Sequence, residues 1–151
     1  MISHIHLRQA KPADLKFMYE VVEQTMRPTV ERTFLIWHKT EMLAELHEFA
    51  NHPITKIVKI DDQDCGLFYV EERKLEYWIQ WVFILPEFQG NGVGKRLLVD
   101  VLLRAHRRGL PVRLRVHRSS SAKTFYELLG FSVYDQTDKF LYMQCEKQNS
   151  V

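Results

Sequence analysis

Three of the six glycines in this 151-residue chain fall within five positions, in the run Gln89-Gly90-Asn91-Gly92-Val93-Gly94-Lys95. The run follows a β-branched and aromatic stretch, Leu75 to Leu85, closed by Pro86. It precedes Val93, Leu97, Leu98, Val101, Leu102 and Ala105, apolar positions that share one face of a helix. A strand that turns into a helix through glycines brings its backbone close to whatever it faces, because no Cβ stands in the way. Unpaired N–H groups of the first helical turn and the positive end of the helix dipole then favour an anion, and a diphosphate fits that chemistry. A tight strand-to-helix connection would use the same glycines. Two common phosphate loops do not match: a Walker loop needs Gly where Gln89 stands, and the dinucleotide fingerprint needs Gly at Lys95 or Leu97.

The rest of the chain reads as short alternating elements. Ile2 to Leu7 alternates like a strand and ends at Lys11-Pro12. Leu15, Met18, Tyr19, Val22 and Met26 predict a helix stopped by Arg27-Pro28, and a second helical pattern runs from Glu31 to Phe49 until Asn51-His52-Pro53. Ile54–Ile60 and Cys65–Val70 predict two strands joined at Asp61–Asp64, and Glu71–Lys74 turns into Leu75–Leu85, which makes an antiparallel meander. After the Gly-rich helix come strand Val112–Val116, helix Ala122–Leu129, strand Phe131–Tyr134 and strand Lys139–Cys145. The order βααβββαβαββ predicts an α/β fold of the α+β kind with a mixed sheet, since strand-helix-strand crossovers favour parallel neighbours.

Length and composition predict one globular domain over residues 1–151, with 46% hydrophobic residues to build its core. A formal charge of +2 is too small for the footprint of a nucleic-acid binder. No long apolar run offers a membrane span, and MISHIHLRQAKPADL lacks the apolar core of a signal peptide, so a soluble cytoplasmic protein is expected. Cys65 and Cys145 form no CxxC pair, which predicts two buried thiols and no metal site.

The run Val82-Phe83-Ile84-Leu85-Pro86-Glu87-Phe88-Gln89-Gly90-Asn91-Gly92-Val93-Gly94 resembles the acetyl-CoA-binding motif of the GNAT N-acetyltransferase superfamily: Gln or Arg, two residues, Gly, one residue, then Gly or Ala. Ala122-Lys123-Thr124-Phe125-Tyr126-Glu127-Leu128-Leu129-Gly130-Phe131 is similar to that family's second signature, and the element order agrees with its fold over nearly the whole chain. The resemblance implies an acetyl-CoA-dependent N-acetyltransferase with a splayed central sheet. Acetyl-CoA would be the cosubstrate and an amine the acceptor, with no nucleic acid or membrane as partner, and a homodimer is admitted. Backbone groups of Val82, Phe83 and Ile84 would meet pantetheine, itself an amide chain, as an added strand. The diphosphate would lie on Gln89, Gly90, Asn91, Gly92, Val93, Gly94 and Lys95.

For the chemistry, Tyr126 matches the family's general acid, a phenol that keeps its proton at neutral pH and can donate to the departing thiolate. The strand stretch where family members often carry a Glu reads Tyr77-Trp78-Ile79-Gln80-Trp81, with no carboxylate. Glu76 just upstream, Glu71 and Glu72, and His117 after the fifth strand are the candidate bases, acting directly or through water. Where the family often places Asn there is Ser119-Ser120-Ser121, so Ser120 either touches the cofactor or caps the next helix. No cysteine sits in a nucleophile setting, which favours direct attack in a ternary complex. The missing carboxylate supports a second reading, a catalytically idle acyl-CoA-binding domain.

Overall fold

The structure is a computed structural model that describes residues 4–33 and 35–146. Its elements are β1 (Ile5–Gln9), α1 (Leu15–Arg32), α2 (Lys39–Ala50), β2 (Lys56–Ile60), β3 (Gln63–Glu72), β4 (Tyr77–Ile84), α3 (Val93–Arg107), β5 (Val112–His117), α4 (Ala122–Leu128), β6 (Ser132–Gln136) and β7 (Phe140–Cys145). The order is the expected βααβββαβαββ, and the hydrogen-bonded strand order is β1-β2-β3-β4-β5-β7-β6. The sheet is mixed: β4 pairs with β5 in parallel, and β1 with β2 and β5 with β7 antiparallel. Among the described residues no helix is long and apolar enough to cross a membrane.

Strand ends shift by one to three residues, β3 taking in Gln63, Asp64, Glu71 and Glu72 from the expected turns, and two helix boundaries differ more. Pro28 lies inside α1 instead of ending it. A proline removes one ladder hydrogen bond and crowds the preceding turn, so the helix needs other support there. Arg27 pairs with Glu23 at 3.2 Å and Glu31 at 3.1 Å, one turn on either side, which offsets a small part of that cost. The second helix therefore starts at Lys39 and not at Glu31, whose turn belongs to α1. The expected start of the first strand at Ile2, and Phe34 of the second helix, lie outside the described residues.

The chain divides into two compact units. One comprises the residues up to Tyr69 together with Trp81–Gly94. Met18, Val21 and Val22 of α1, at helical spacing, are buried with Leu46 and Ala50 of α2 against Ile57, Leu67, Tyr69, Trp81 and Leu85. Each such aliphatic side chain contributes roughly 1.5–3 kcal/mol by leaving water. Phe49 of α2 meets Trp81 at 4.3 Å and Tyr69 at 5.2 Å between ring centroids, which fixes α2 over the second half of β4.

A charged clasp ties β1 to the start of α1 and to β3. Arg8 pairs with Asp14 at 2.8 Å and Asp64 at 2.9 Å, and Lys59 adds 3.2 Å to Asp64. The Arg8 hydrogen bonds hold both carboxyls below the usual Asp range. Their stabilisation is present above the unfolded Asp pKa and is lost as pH falls through the lowered folded values. Arg8→Ala is expected to cost about 1–2 kcal/mol at pH 7, a partly exposed pair being worth less than a buried one. Urea unfolding at pH 7 and pH 3 checks this, and the difference between parent and variant should shrink in acid.

The other unit comprises Val70–Gln80 with the residues from Lys95 onward. β5 pairs with β7 from Val112↔Cys145 to His117↔Phe140, and β7 pairs with the edge strand β6. Leu98, Val101 and Ala105 of α3, with Leu114 and Met143, carry the core of this unit. Cys65 and Cys145 are buried free thiols, as expected, and burial pushes Cys65 up to about 11.

Candidate active site

β3 is extended, and so is β4, but one position on β3 has no side chain. A Cβ built on Gly66 would collide with the carbonyl oxygen of Phe83, so only glycine lets β3 approach the second half of β4 this closely. Leu85 continues the contact by donating its N–H to the Cys65 carbonyl at 2.9 Å. Successive residues of a strand face opposite ways, so with Phe83 and Leu85 turned to β3, the backbone groups of Val82 and Ile84 point away from it. The parallel ladder between β4 and β5 consists of Tyr77↔Val112 and Trp78↔Arg113 and includes neither Val82 nor Ile84. Gly66→Ala is expected to destabilise the protein by about 1–3 kcal/mol, since backbone and not a flexible side chain must give way. A denaturant midpoint measurement reads it.

Downstream of β4 the chain makes one 3-10 turn at Pro86–Phe88 and enters the glycine run. Gly90 and Gly92 have φ of 86° and 76°, the left-handed region that side chains disfavour. A Cβ on Gly90 would meet nothing within 4 Å, so the glycine serves conformation and leaves the loop surface open. The N–H groups of Gly90, Asn91 and Gly92 donate to no backbone acceptor among the described residues. α3 starts at Val93, its first turn carries no acidic residue, and the N–H groups of Val93, Gly94 and Lys95 belong to the turn that a helix leaves unpaired. Val93 is buried and anchors that turn. The run is thus a series of backbone donors at a helix N-terminus, with the chemistry that favours a phosphate.

Gln89 behaves differently from its expected role as one more phosphate donor. Its Nε2 donates to the Ile84 carbonyl at 2.8 Å, so the side chain staples the loop back to the end of β4. The Ile84 carbonyl, expected to be unpaired, is engaged by this bond. The identity of a side chain's partner five residues away is not written in local periodicity, although the recurring Gln in the motif was the signal available.

In the second unit, Tyr126 on α4 is buried, its ring edge-on to Phe125 at 5.3 Å and to Phe131 at 5.5 Å. Burial pushes its phenol up to about 12, so it holds its proton throughout the neutral range. Ser120 accepts the Ala122 N–H at 3.1 Å, which satisfies one donor at the start of α4 as a capping residue does. His117 ends β5 with its Nδ1 accepting the Ser119 N–H at 3.2 Å and lying 2.9 Å from the Ser119 hydroxyl. In a neutral ring the proton then sits on Nε2, and the basic nitrogen is turned into its own loop.

Glu76 is held by two guanidiniums, Arg73 at 3.0 Å and Arg113 at 3.0 Å. Arg73 also pairs with Glu71 at 2.8 Å, and Glu72 pairs with Arg104 at 3.3 Å. All three glutamates considered as bases are therefore in ion pairs. The Arg113 contact spans 37 positions and could not be read along the chain. Glu76→Gln, which keeps the shape and removes the charge, is expected to cost about 1 kcal/mol of stability in low salt and less in high salt. Thermal unfolding at two ionic strengths checks it.

Comparison with known proteins matches the description of an acetyltransferase (GNAT) domain over residues 20–143. No curated protein matches the chain. Among solved structures, the PaiA N-acetyltransferase of Thermoplasma acidophilum in complex with coenzyme A is 20% identical, covering 95% of this chain and 99% of its own, with a TM-score of 0.75. An acetyltransferase from Thermus thermophilus is 14% identical, covering 96% and 98%, with a TM-score of 0.75. The ribosomal-protein-S18-alanine N-acetyltransferase of Escherichia coli is 16% identical, covering 98% and 97%, with a TM-score of 0.66. At these identities the likeness is one of fold.

Proposed function

The chain belongs to the GNAT acetyltransferase family, and from that membership we propose that it moves the acetyl group of acetyl-CoA to a primary amine by direct attack in a ternary complex. The observation that carries the reading is the glycine run itself, with two left-handed glycines, unengaged N–H groups and an acid-free first turn of α3. The whole chain would act as one acetyltransferase domain in the cytoplasm. Acetyl-CoA is the cosubstrate: Gly90 to Lys95 cradle its diphosphate, and the backbone groups of Val82 with the N–H of Ile84 bond its pantetheine amides, the Ile84 carbonyl being taken by Gln89. Gln89 holds the two segments in register. The coenzyme A complex of the Thermoplasma relative supports this choice of cosubstrate.

In the reaction a neutral amine attacks the thioester carbonyl, the new C–N bond forms, the C–S bond breaks, and the thiolate departs toward the phenol of Tyr126. The amine's proton leaves through water. This route follows from the surroundings of the candidate bases, since His117 turns its basic nitrogen to Ser119 and Glu76 faces two arginines. His117→Ala is therefore expected to leave the acidic limb of the pH–rate profile in place, set by the amine itself. A limb that moves or vanishes would restore His117 as the base.

Isothermal titration with acetyl-CoA tests the reading most directly, and folded protein that fails to bind at tens of micromolar would overturn it. The second reading, an idle acyl-CoA-binding domain, is favoured by the ion-paired state of all three glutamates. Transfer to any amine in a panel of lysine peptides, polyamines, amino acids and xenobiotic amines refutes it.

A further inference from the structure

Charge is divided unevenly along this chain. Residues 70–80 and 95–151, the second unit, hold thirteen Lys and Arg against eight Asp and Glu, while the first unit holds eight against eleven. The formal +2 is the sum of the two, and an asymmetry of this kind points to a polyanion as the partner of the basic part.

The sheet of the basic unit has two unlike faces. Val112 and Leu114 of β5 and Met143 of β7 turn one way and are buried. Their strand neighbours turn the other way, and ladder partners share a face. Trp78 lies beside Arg113, Arg115 opposite Tyr142, and His117 opposite Phe140, and none of the six is buried. Tyr134 of the edge strand joins this open face, its ring centre 6.3 Å from that of Tyr142.

Arginines lie on aromatic rings across the face. Arg73 is 5.1 Å from the Trp78 ring centre, Arg113 is 5.3 Å from that of Tyr134, and Arg115 is 4.1 Å from that of Phe140. Arg73 and Arg113 are balanced by Glu71 and Glu76. Arg115 is not: held on Phe140, its guanidinium makes no hydrogen bond or ion pair with any described residue. Arg118 and Lys139 meet just beyond β5 and just before β7, where the Arg118 N–H donates to the Lys139 carbonyl at 2.9 Å, and neither side chain is paired with a carboxylate. Asp135, opposite Tyr142, is an unpaired carboxylate beside them. A fixed guanidinium among rings offers both a phosphate donor and a surface for stacking.

We propose that this open face binds single-stranded nucleic acid. Phosphates lie on Arg115, Arg118 and Lys139, and bases stack on the rings and on the guanidiniums that cover them, two or three bases being what a four-stranded face holds. An acidic peptide would use the charge and leave the rings idle. A second copy of the chain would set two positive faces against each other.

The test is fluorescence anisotropy of the full-length protein with a labelled single-stranded 12-mer of thymidine nucleotides, with and without saturating acetyl-CoA. The dissociation constant should be on the order of 10 μM at 50 mM salt, and the logarithm of affinity should fall with the logarithm of salt at a slope near −2, the value for about three phosphate contacts. Arg115→Gln should weaken binding about tenfold and make the slope shallower by about 0.7. Tyr134→Leu should weaken it about tenfold with the slope unchanged, because a base contact releases no counterion. Asp135→Asn should strengthen it about threefold. All three variants should melt within a few degrees of the parent, since Arg115, Tyr134 and Asp135 are exposed. No binding at 100 μM protein would overturn the proposal. So would binding that Tyr134→Leu leaves unmoved, which is bare charge, and binding that acetyl-CoA abolishes, which belongs to the glycine run. Self-association lost in Arg115→Gln would give the face to a second copy and overturn it as well.

Discussion

Acetyl-CoA is expected to bind Gly92→Asp about 100-fold more weakly than it binds the parent protein. Gly92 immediately precedes the first residue of α3, in the middle of the donor array. A carboxylate there, about 5 Å from the nearer phosphate charge and at an effective dielectric near 20, repels that charge by about 3 kcal/mol, which is roughly 100-fold in affinity, while the farther charge is screened by salt and adds little. The same charge affects the empty protein in the opposite sense, because a carboxylate at a helix N-terminus is favourable to the dipole and Asp is a good capping residue. Against that gain stands the φ of 76°, which costs any side chain about 1 kcal/mol.

Gly92→Asn separates these effects. It brings the same conformational cost and nearly the same shape without the charge, and asparagine tolerates left-handed backbone better than most residues. Titration should therefore find the Gly92→Asn protein within about threefold of the parent and the Gly92→Asp protein far below it, with both melting within a few degrees of the parent. Equal loss in the two variants would mean that backbone shape and not charge governs the loop. Parent-like binding by both would remove the diphosphate from Gly90 to Lys95 altogether.

Which parts of this protein can be read along its chain follows from how far each interaction reaches. Element order was legible because strand alternation, helical spacing and glycine or proline punctuation are local, and the strand-to-helix turn was legible because its glycines are nearly consecutive. Pro28 reads as a stop because its usual effect is local, while a helix that continues past it rests on the packing of the whole of α1, whose buried Met18, Val21 and Val22 lie six residues and more away. Gly66 carries a readable signal, since an isolated glycine in a strand pattern marks a close backbone approach. Its partner Phe83 is identified only once β3 and β4 are paired.

The candidate base positions show the same division more sharply. Glu76 looks like a carboxylate available for chemistry when only its neighbours are known, and Arg73 alone does not change that. Arg113 does, and it arrives through the parallel pairing that sets Trp78 opposite Arg113. For His117 the deciding contact is two residues away, but it depends on the turn that aims the Ser119 N–H back at Nδ1. Composition at short range was visible in both cases, and orientation was not.

Tyr126→Phe is expected to lower kcat about 100-fold while leaving acetyl-CoA affinity within twofold. The substitution removes one oxygen and keeps the ring edges packed on Phe125 and Phe131. A phenol pushed up to about 12 is a poor acid beside a thiol, whose reference pKa is near 8.5. Complete transfer of its proton to the thiolate would be uphill by about 5 kcal/mol. Its contribution is then a hydrogen bond that strengthens as charge develops on sulfur, and losing one such preorganised donor costs roughly 100-fold. Because the interaction forms only as the C–S bond breaks, the loss should fall on kcat and on kcat/KM alike. Burial supplies an independent check with a definite sign. The folded phenol titrates above its unfolded value near 10, so parent stability should fall as pH rises from about 10 toward 12, where the unfolded chain ionises and the folded one does not. The Phe variant should lack that part of the fall. A variant with full kcat would show that the thiolate leaves without help from Tyr126, whose ring would then serve α4 packing alone.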